Sequence, residues 1–378
     1  MSGKRRVWPV ALAHGLNDGY GAFLSALLPI LIERLGISLT LAGLLTSVRS
    51  GLASFGQWPL GMAADRFGAR PLALLGPALT VTAMGLLGLM PHYPGVALLL
   101  VLAGLGTAAF HPAGASLVPD GHSRGLRMAI FAAGGTLGVA LGPLLVTQVV
   151  ARFGLPAVPF LMIPAAFALL LLGLALPHSA KNPGGSTALH RHPQRRRLLQ
   201  LWGMGMFRDL VGTAVLGFLA VVWAQRGAPL TFAGFTLTLY ALAGAAGDLV
   251  GGRLSDRYGR REVLAGALFL ALPALYLFLG TKGLLSLVFL VLFGFASAAS
   301  VPVTVVYGQE LMPESRGLVS GLLLGLAWGV GSLLVTGVGA LADRVGLEPA
   351  LGFVGLALVP AAFLAFFLPS DRPQRRSR

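Results

Sequence analysis

Apolar residues dominate the chain in long runs that are separated by short polar breaks. A membrane-spanning helix needs about 20 consecutive apolar residues, and scanning at that length predicts twelve such helices. They cover residues 8–34, 39–63, 70–90, 94–118, 127–151, 156–177, 199–225, 230–254, 262–280, 284–308, 317–342 and 349–368. One break is longer, polar and basic. We therefore predict an N-terminal six-helix bundle (1–177), a basic cytoplasmic linker (178–198) and a C-terminal six-helix bundle with a basic cytoplasmic tail (199–378).

Composition supports a membrane protein and excludes a water-soluble enzyme. The chain is 56% hydrophobic and 11% charged, whereas soluble globular proteins carry about 25% charged residues. The motifs H-E-x-x-H, G-x-S-x-G and G-x-x-x-x-G-K-[ST] do not occur, which argues against an enzyme and against direct ATP drive. A count of 0 cysteines removes disulfides and thiolate metal sites,. We expect no metal and no cofactor, and a monomer is the default for a polytopic fold of this kind.

The basic residues set the expected orientation. Lys and Arg number 28 against 13 Asp and Glu, a balance that in a soluble chain would suggest nucleic-acid binding. Here they cluster in the breaks between apolar runs, so we expect no nucleic-acid partner. With the N-terminus inside, 21 of the 28 fall on the cytoplasmic side, 5 outside and 2 within the membrane. The positive-inside rule then places both termini in the cytoplasm. We expect the membrane to be the inner membrane of the cell.

The two halves of the chain repeat each other. A shift of 191 positions aligns GMAADRFGAR (61–70) with GRLSDRYGRR (252–261) and LTLAG (39–43) with LTFAG (230–234). The same shift places Asp18 on Asp209. Six helices in each copy give both copies the same direction across the membrane, as in parallel repeats. The predicted fold is all-α and polytopic, with two parallel six-helix repeats.

These motifs resemble those of the major facilitator superfamily. The pattern G-x-x-x-D-R-x-G-x-R occurs after helices two and eight, GVALGP (138–143) resembles an element of its drug–proton antiporters, and HGLND (14–18) with FHP (110–112) resembles the fosmidomycin-resistance exporters. The resemblance implies that helices one, four, seven and ten line a central cavity. It also implies that the two loops latch the outward-facing state.

Charged side chains in the middle of the membrane are the strongest candidates for function, because burying them is costly. The set comprises His14, Asp18, Arg49, His111, Arg208, Asp209 and Asp248. His14 and Asp18 are four residues apart, so they share one helix face. We interpret Asp18 and Asp209 as proton sites, with His14 as a partner or relay. The alternative is that they form fixed ion pairs, or that they satisfy a helix broken at Gly19 and Gly21.

Arg49 and Arg208 are candidates for binding an anionic or zwitterionic substrate, since a guanidinium can hold a carboxylate or phosphonate bidentately. The alternative is that Asp18 neutralises Arg49 and an acid on a neighbouring helix neutralises Arg208. His111 precedes Pro112, which frees a backbone carbonyl, so His111 is either a cavity ligand or a donor to that kink. Further expected substrate contacts are Asn17 and Tyr240.

The two repeated loops are the expected gate. Asp65 and Asp256 end helices two and eight, where a carboxylate can face the positive N-terminus of a helix in the other half. Arginines of the loops can bind acids or helix-end carbonyls. The gate set is Gly61, Asp65, Arg66, Arg70, Gly252, Asp256, Arg257 and Arg261. In helix five, Gly138, Gly142 and Pro143 allow close packing and a bend.

The leading hypothesis is a proton-coupled secondary transporter that exports a small organic anion or drug by antiport and alternating access. The alternative is an importer or uniporter of a small carboxylate or similar nutrient. The expected partners are the small-molecule substrate, protons and the lipid bilayer.

Overall fold

Helices cover every stretch in which the sequence predicts a membrane span. The structure is a computed structural model, and it describes residues 7–118, 124–176, 193–313 and 316–370. We number the helices α1 to α12 by predicted span. Their segments are Val7–Gly21 and Phe23–Leu35 (α1), Leu39–Phe55 and Gln57–Phe67 (α2), Ala69–Leu86 (α3), Tyr93–Ser116 (α4), Arg124–Phe153 (α5), Met162–Ala175 (α6), Arg195–Gln225 (α7), Leu230–Tyr258 (α8), Arg260–Gly280 (α9), Gly283–Ala299 and Val301–Leu311 (α10), Arg316–Ser320, Ala327–Leu333 and Val335–Val345 (α11), and Leu347–Gly355 and Leu358–Phe366 (α12).

Eleven of these helices are long and apolar enough to cross a membrane, counted over the described ranges. The exception is α2, which is interrupted at Gly56. Pro59 lacks the N–H that would bond to the Phe55 carbonyl, and this missing bond breaks the helix ladder. The predicted span 39–63 is thus formed by two helical segments, Leu39–Phe55 and Gln57–Phe67.

Three further features change the regularity of the helices. Short 3-10 turns, Leu87–Leu89 and Leu155–Leu161, extend α3 and precede α6. In α11 the residues Gly321–Leu326 form a π-helical turn, a geometry that holds one extra residue per turn and often occurs at functional sites. Helix α7 begins at Arg195, so the end of the predicted linker is helical. Most of that linker lies outside the described residues.

Contacts divide the chain into two compact units. The first comprises Met1–Gly184 and Gly217–Thr238, and the second comprises Gly185–Leu216 and Leu239–Arg378. The predicted bundles 1–177 and 199–378 follow the repeat in the sequence, whereas these units follow packing, and the stretch around 217–238 belongs to the first unit. The boundary at 178–198 stays a prediction.

Backbone geometry supports the repeat. Gly68 and Gly259, which the shift of 191 positions aligns, both adopt left-handed backbone, with φ values of +94° and +104°. Only glycine takes this conformation readily, and each of the two residues ends the helix that precedes the loop. Gly36 and Gly227 form a second aligned pair, with φ values of +60° and +77°. The two halves thus turn at the same positions.

Candidate functional site

The predicted pair on helix α1 is formed. Nε2 of His14 lies 3.0 Å from Oδ2 of Asp18, one helical turn away. The two side chains are 12% and 17% exposed, respectively, so the pair is mostly removed from solvent but accessible on one side. This confirms the sequence-based expectation that the two residues share a helix face.

Helix α4 brings a second histidine to the same carboxylate. Nε2 of His111 lies 3.0 Å from Oδ1 of Asp18, and the His111 side chain is 25% exposed. The His14 ring stacks on Phe131 of α5, with ring centroids 4.2 Å apart, and packs against Phe110 at 5.5 Å. His111 therefore contacts Asp18 in this structure. The sequence predicted either a cavity ligand or a donor to the kink at Pro112, and it did not indicate this contact.

The hydrogen bonds of His14 fix where protons must lie. Its Nδ1 is 2.8 Å from the backbone carbonyl oxygen of Phe131, and a carbonyl only accepts, so Nδ1 carries the hydrogen. In a neutral ring Nε2 would then be a bare acceptor that faces a carboxylate. Two acceptors at 3.0 Å repel each other unless a proton lies between them. The contact therefore holds one proton, located either on His14 or on Asp18.

Thr80 and Asn17 form a chain of hydrogen bonds that orients the Asp18 carboxylate. Nδ2 of Asn17 donates to Oδ1 of Asp18 at 2.8 Å, while Oγ1 of Thr80 donates to Oδ1 of Asn17 at 3.0 Å. Asn17 and Thr80 are both 0% exposed. In this geometry Asn17 is buried and orients Asp18. The substrate contact expected for Asn17 stays a prediction.

Arg49 of α2 is the fixed positive charge next to this cluster. It interacts electrostatically with Asp18, although the direct partners of that carboxylate are the histidines and Asn17. Its guanidinium lies against Gly21, where a side chain would collide with Nη2. Nε of Arg49 is buried without a hydrogen-bond partner. Such a donor is costly to leave unmet, so an anionic ligand would find an unused donor here.

The same three side chains could surround a small cation. The ligating atoms of His14, Asp18 and His111 all lie within 4.8 Å of one another. Two features oppose a divalent ion: the N–H of Asn17 already occupies Oδ1, and the charge of Arg49 adds repulsion,. A proton carries one charge instead of two and needs no free coordination position on Oδ1, so both costs are smaller for a proton than for a divalent ion.

Asp209, the repeat counterpart of Asp18, lies in a different environment. Nε and Nη2 of Arg208 donate to the same oxygen, Oδ1 of Asp209, at 2.9 and 2.8 Å. The side chains are 2% and 4% exposed. Nη1 of Arg208 donates to Ser300 and Thr304 of α10 at 3.3 and 3.4 Å. The direct ion-pair partner of Arg208 is thus the residue next to it in sequence.

Three more residues surround this pair in the second unit. Trp328 of α11 and Tyr240 of α8 both lie within electrostatic range of the Asp209 carboxylate. Asp248 of α8 interacts electrostatically with Arg208, and its Oδ1 is buried without a hydrogen-bond partner. Asp248 was visible in the sequence as a mid-membrane acid, but nothing there connected it to Arg208 and Asp209.

The predicted gate residues make distinct contacts in the two loops. Nη2 of Arg70 donates to the carbonyl of Gly173, near the end of α6, at 2.6 Å, as the sequence suggested for this arginine. The guanidinium carbon of Arg66 lies 5.3 Å from the ring centroid of Phe67, and that of Arg257 lies 5.2 Å from the ring centroid of Tyr258.

The remaining gate residues are placed as follows. Arg261 lies over Phe366 of α12 at 5.0 Å. Asp65 is exposed at the end of α2. A side chain at Gly61 would touch Pro112, whereas one at Gly252 would meet nothing within 4 Å.

Asp256 forms an ion pair that the sequence analysis missed. Nη1 of Arg260 lies 2.5 Å from Oδ1 of Asp256, and its Nη2 lies 3.0 Å from Oε1 of Glu310. The spacing of four residues between Asp256 and Arg260 could have indicated the first contact. Glu310 lies on α10, 50 residues further along the chain, and no local pattern points to it.

The glycine motif of α5 packs directly on the helix that carries His14 and Asp18. A side chain at Gly138 would collide with the carbonyl of Gly15, and one at Gly142 with that of Gly19. Small residues at four-residue spacing on both helices let the backbones approach closely. The carbonyl of Pro143 accepts a hydrogen bond from Thr147 at 2.8 Å. The expectation of close packing at Gly138 and Gly142 is confirmed.

Comparisons with known proteins agree with this architecture. The chain matches the family described as Major Facilitator Superfamily over residues 10–224 and 201–378. It is 30% identical to the uncharacterized MFS-type transporter YfnC of Bacillus subtilis (strain 168), over 97% of this chain and 93% of that protein. It is 29% identical to the fosmidomycin resistance protein of Escherichia coli (strain K12), over 96% and 92% of the two chains.

A solved structure shares the fold. It is a bacterial homolog of the human lysosomal transporter Spinster, in an inward-facing and occupied conformation, with a TM-score of 0.81 at 17% identity over 95% of both chains. The family match covers almost the whole sequence. The chain therefore belongs to the Major Facilitator Superfamily and is a multi-pass membrane transporter, not an enzyme.

Proposed function

We propose that this transporter is coupled to protons, and that the coupling proton is held by His14, Asp18 and His111. The observation that carries the proposal is the hydrogen bond from Nδ1 of His14 to the Phe131 carbonyl, 2.8 Å long. This bond directs the other ring nitrogen, without a hydrogen of its own in the neutral form, at a carboxylate. A proton that enters or leaves this contact changes the charge of the cluster by one.

The substrate class follows from Arg49. Its Nε is a buried donor without a partner, and its charge acts on Asp18. Arg208 was the other candidate, but its donors are directed to Asp209, Ser300 and Thr304. We therefore favour a small organic anion, or a drug with an anionic group, bound at Arg49.

We propose export by antiport as the leading mode, supported by 29% identity to the fosmidomycin resistance protein over 96% of the chain. The transporter would reside in the inner membrane with both termini in the cytoplasm, and would act as a monomer by alternating access between its two repeats. His111 and Tyr240 remain candidates for substrate contacts, and Asp209 is a second candidate for the proton.

One observation favours the alternative, which is import of a small carboxylate together with a proton. The Arg49 cation and a proton bound at Asp18 are both positive and lie within electrostatic range of each other, so they repel,. An anion that neutralises Arg49 removes this effect, so the anion and the proton would bind together. Antiport instead requires that they exclude each other. The dependence of substrate affinity on pH separates the two modes: lowering the pH weakens binding in antiport and strengthens it in cotransport.

The test is transport by the purified protein in liposomes with an imposed pH gradient, using phosphonates, carboxylates, sugars and cationic dyes. Asp18→Asn mimics a permanently protonated carboxyl. It should still exchange labelled for unlabelled substrate but fail to accumulate substrate against a gradient. His14→Gln should behave similarly, whereas His92→Gln, an exposed histidine before α4, serves as the matched control. Accumulation by Asp18→Asn at the wild-type level would refute the coupling role.

Arg49 is tested by its own pair of variants. Arg49→Lys keeps the charge but loses the planar fork of donors, so affinity for the transported anion should fall. Arg152→Lys, an exposed arginine at the end of α5, is the control. Equal affinity of the wild type and Arg49→Ala would assign Arg49 a structural role only.

A further inference from the structure

A groove of about 1130 Å³ opens between α8, α9 and α10 of the second unit. Small residues create this space. At its floor, a side chain on Gly251 would collide with the Ala299 carbonyl, so α8 and α10 are in contact there. At its side, a side chain on Gly266 of α9 would meet nothing within 4 Å. The groove is therefore closed below and open to its surroundings.

The walls of the groove change from apolar to polar along its length. Leu254 and Leu270 line it and are each 40% exposed. Near the loop between α8 and α9 the lining residues are Arg257, Tyr258 and Glu262. Tyr258 is 49% exposed, and tyrosine is enriched where the lipid headgroups begin. Because α8, α9 and α10 all qualify as membrane spans, this gradient runs from the hydrocarbon region towards the headgroups.

Arg257 supplies the charge at the polar end. Its guanidinium lies over the Tyr258 ring at 5.2 Å, and within the described ranges no carboxylate forms an ion pair with it. The nearby Arg260 differs, since Asp256 and Glu310 hold it at 2.5 and 3.0 Å.

Glu262 is the acidic lining residue of the groove. Its Oε1 accepts a hydrogen bond from Ser370 at 2.7 Å, so this acid already has a partner. Arg257 is thus the lining cation with donors available to a phosphate.

We propose that this groove binds an anionic glycerophospholipid. The phosphate contacts Arg257, the glycerol region lies beside Tyr258, and an acyl chain fills the space along Leu254, Gly266 and Leu270. Basic pockets between membrane-spanning helices select anionic headgroups by charge. The proposed lipid site lies on the exposed surface of α8, α9 and α10, and it does not depend on which substrate is transported.

The experiment counts lipids bound to the full-length protein by native mass spectrometry in detergent. The probes are phosphatidylglycerol and phosphatidylcholine with identical acyl chains. One basic residue at the headgroup level should favour the anionic lipid about five-fold. Gly266→Phe fills the groove and should remove the bound phosphatidylglycerol. Gly337→Phe is the matched control, because Gly337 is also an exposed helical position with nothing within 4 Å.

A second variant tests the headgroup separately. Arg257→Gln should lower the preference for phosphatidylglycerol to about one-fold and weaken the binding of phosphatidylglycerol more than that of phosphatidylcholine, which also has a phosphate but no net charge. This variant decides the question if neither Gly266→Phe nor the smaller Gly266→Leu yields folded protein. Equal binding of the two lipids by the wild type would overturn the proposal. So would unchanged phosphatidylglycerol binding by Gly266→Phe, or equal losses in Gly266→Phe and Gly337→Phe.

Discussion

Asp18 and Asp209 occupy corresponding positions in the two repeats, yet their carboxylates have different partners. Asp18 contacts two histidines and is 17% exposed. Asp209 contacts an arginine and is 4% exposed. Histidine gains and loses its charge near neutral pH, whereas arginine stays charged. Under the proposed proton coupling, the partners of the two acids therefore make Asp18 the first candidate and Asp209 the second.

The difference is already present in the residues around each acid. Gly205 stands four positions before Asp209, where the first repeat has His14 before Asp18. Arg208 directly precedes Asp209, where the first repeat has Asn17. One repeat therefore surrounds its acid with groups that exchange protons, and the other surrounds its acid with a fixed cation. The following predictions test this contrast, from the largest expected effect to the smallest.

The largest effect should come from breaking the buried pair in the second unit. Arg208→Ala leaves the Asp209 carboxylate buried without its cation, which should reduce the free energy of unfolding by about 3–5 kcal/mol. Replacing both residues by leucine should restore most of this loss, since no buried charge then remains. Unfolding in detergent micelles measures both variants. If Arg208→Ala is as stable as the wild type, the pair is not a structural element.

A smaller loss is expected from crowding the contact between α1 and α5. Gly138→Leu forces a side chain into the Gly15 carbonyl, and overpacking of this kind costs about 1–3 kcal/mol. Because α1 carries His14 and Asp18, coupling should fail together with stability. Gly212→Leu is the control, since an added Cβ there meets nothing within 4 Å. Normal coupling in Gly138→Leu would show that the cluster tolerates movement of α1.

A third prediction concerns the hydrogen bond from Thr80 to Asn17, the residue that orients Asp18. Thr80→Val removes the hydroxyl that donates to Asn17 at 3.0 Å and keeps the shape of the side chain. The lost hydrogen bond should cost about 1 kcal/mol. Transport measured across a range of pH should show a shifted profile, because Asn17 orients the Asp18 carboxylate. Thr136→Val, at an exposed position on α5, should leave the profile in place. An unshifted profile in Thr80→Val would remove Asn17 from the positioning role.

The smallest effect concerns the two loops. Arg260 binds Asp256 and Glu310 near the surface, and exposed ion pairs contribute about 0.5 kcal/mol. Arg260→Gln should therefore lower the unfolding free energy slightly, and the loss should shrink at high salt. Arg70 instead donates to the Gly173 carbonyl, so the effect of Arg70→Gln should depend less on salt. The same salt dependence in both variants would show that the two loops are held in the same way.

The fold was largely predictable because the apolar runs and the repeat are strong, extended signals. The positions of the helices, the shared face of His14 and Asp18, and the close packing at Gly138 and Gly142 follow from local spacing, and the structure confirms them. The interruption of α2 at Gly56 was missed, although Pro59 signals it.

The site was only partly predictable, because its partners are distant in sequence. His111 lies 93 residues from its partner Asp18 in the sequence, and Phe131 lies 117 residues from its partner His14. A backbone carbonyl such as that of Phe131 has no sequence signature at all. For Arg208 the sequence left open a substrate contact and an ion pair with an acid on a neighbouring helix, and adjacent residues do not normally face each other on a helix. Its long side chain folds back to the next residue, while Ser300 and Thr304 hold the other end of the guanidinium.

The π-helical turn Gly321–Leu326 has a mechanical consequence for Trp328, which lies two residues beyond it. Each residue of an α-helix advances the chain by about 100° around the axis. A segment that holds one extra residue therefore sets the angular position of everything that follows. If the turn relaxed to a regular α-helix, the next segment would rotate by about that angle and change the position of the Trp328 indole, which now lies within electrostatic range of Asp209. The turn therefore sets the rotation of the rest of α11 about its axis, and the distance between the Trp328 indole and the Asp209 carboxylate would report that rotation.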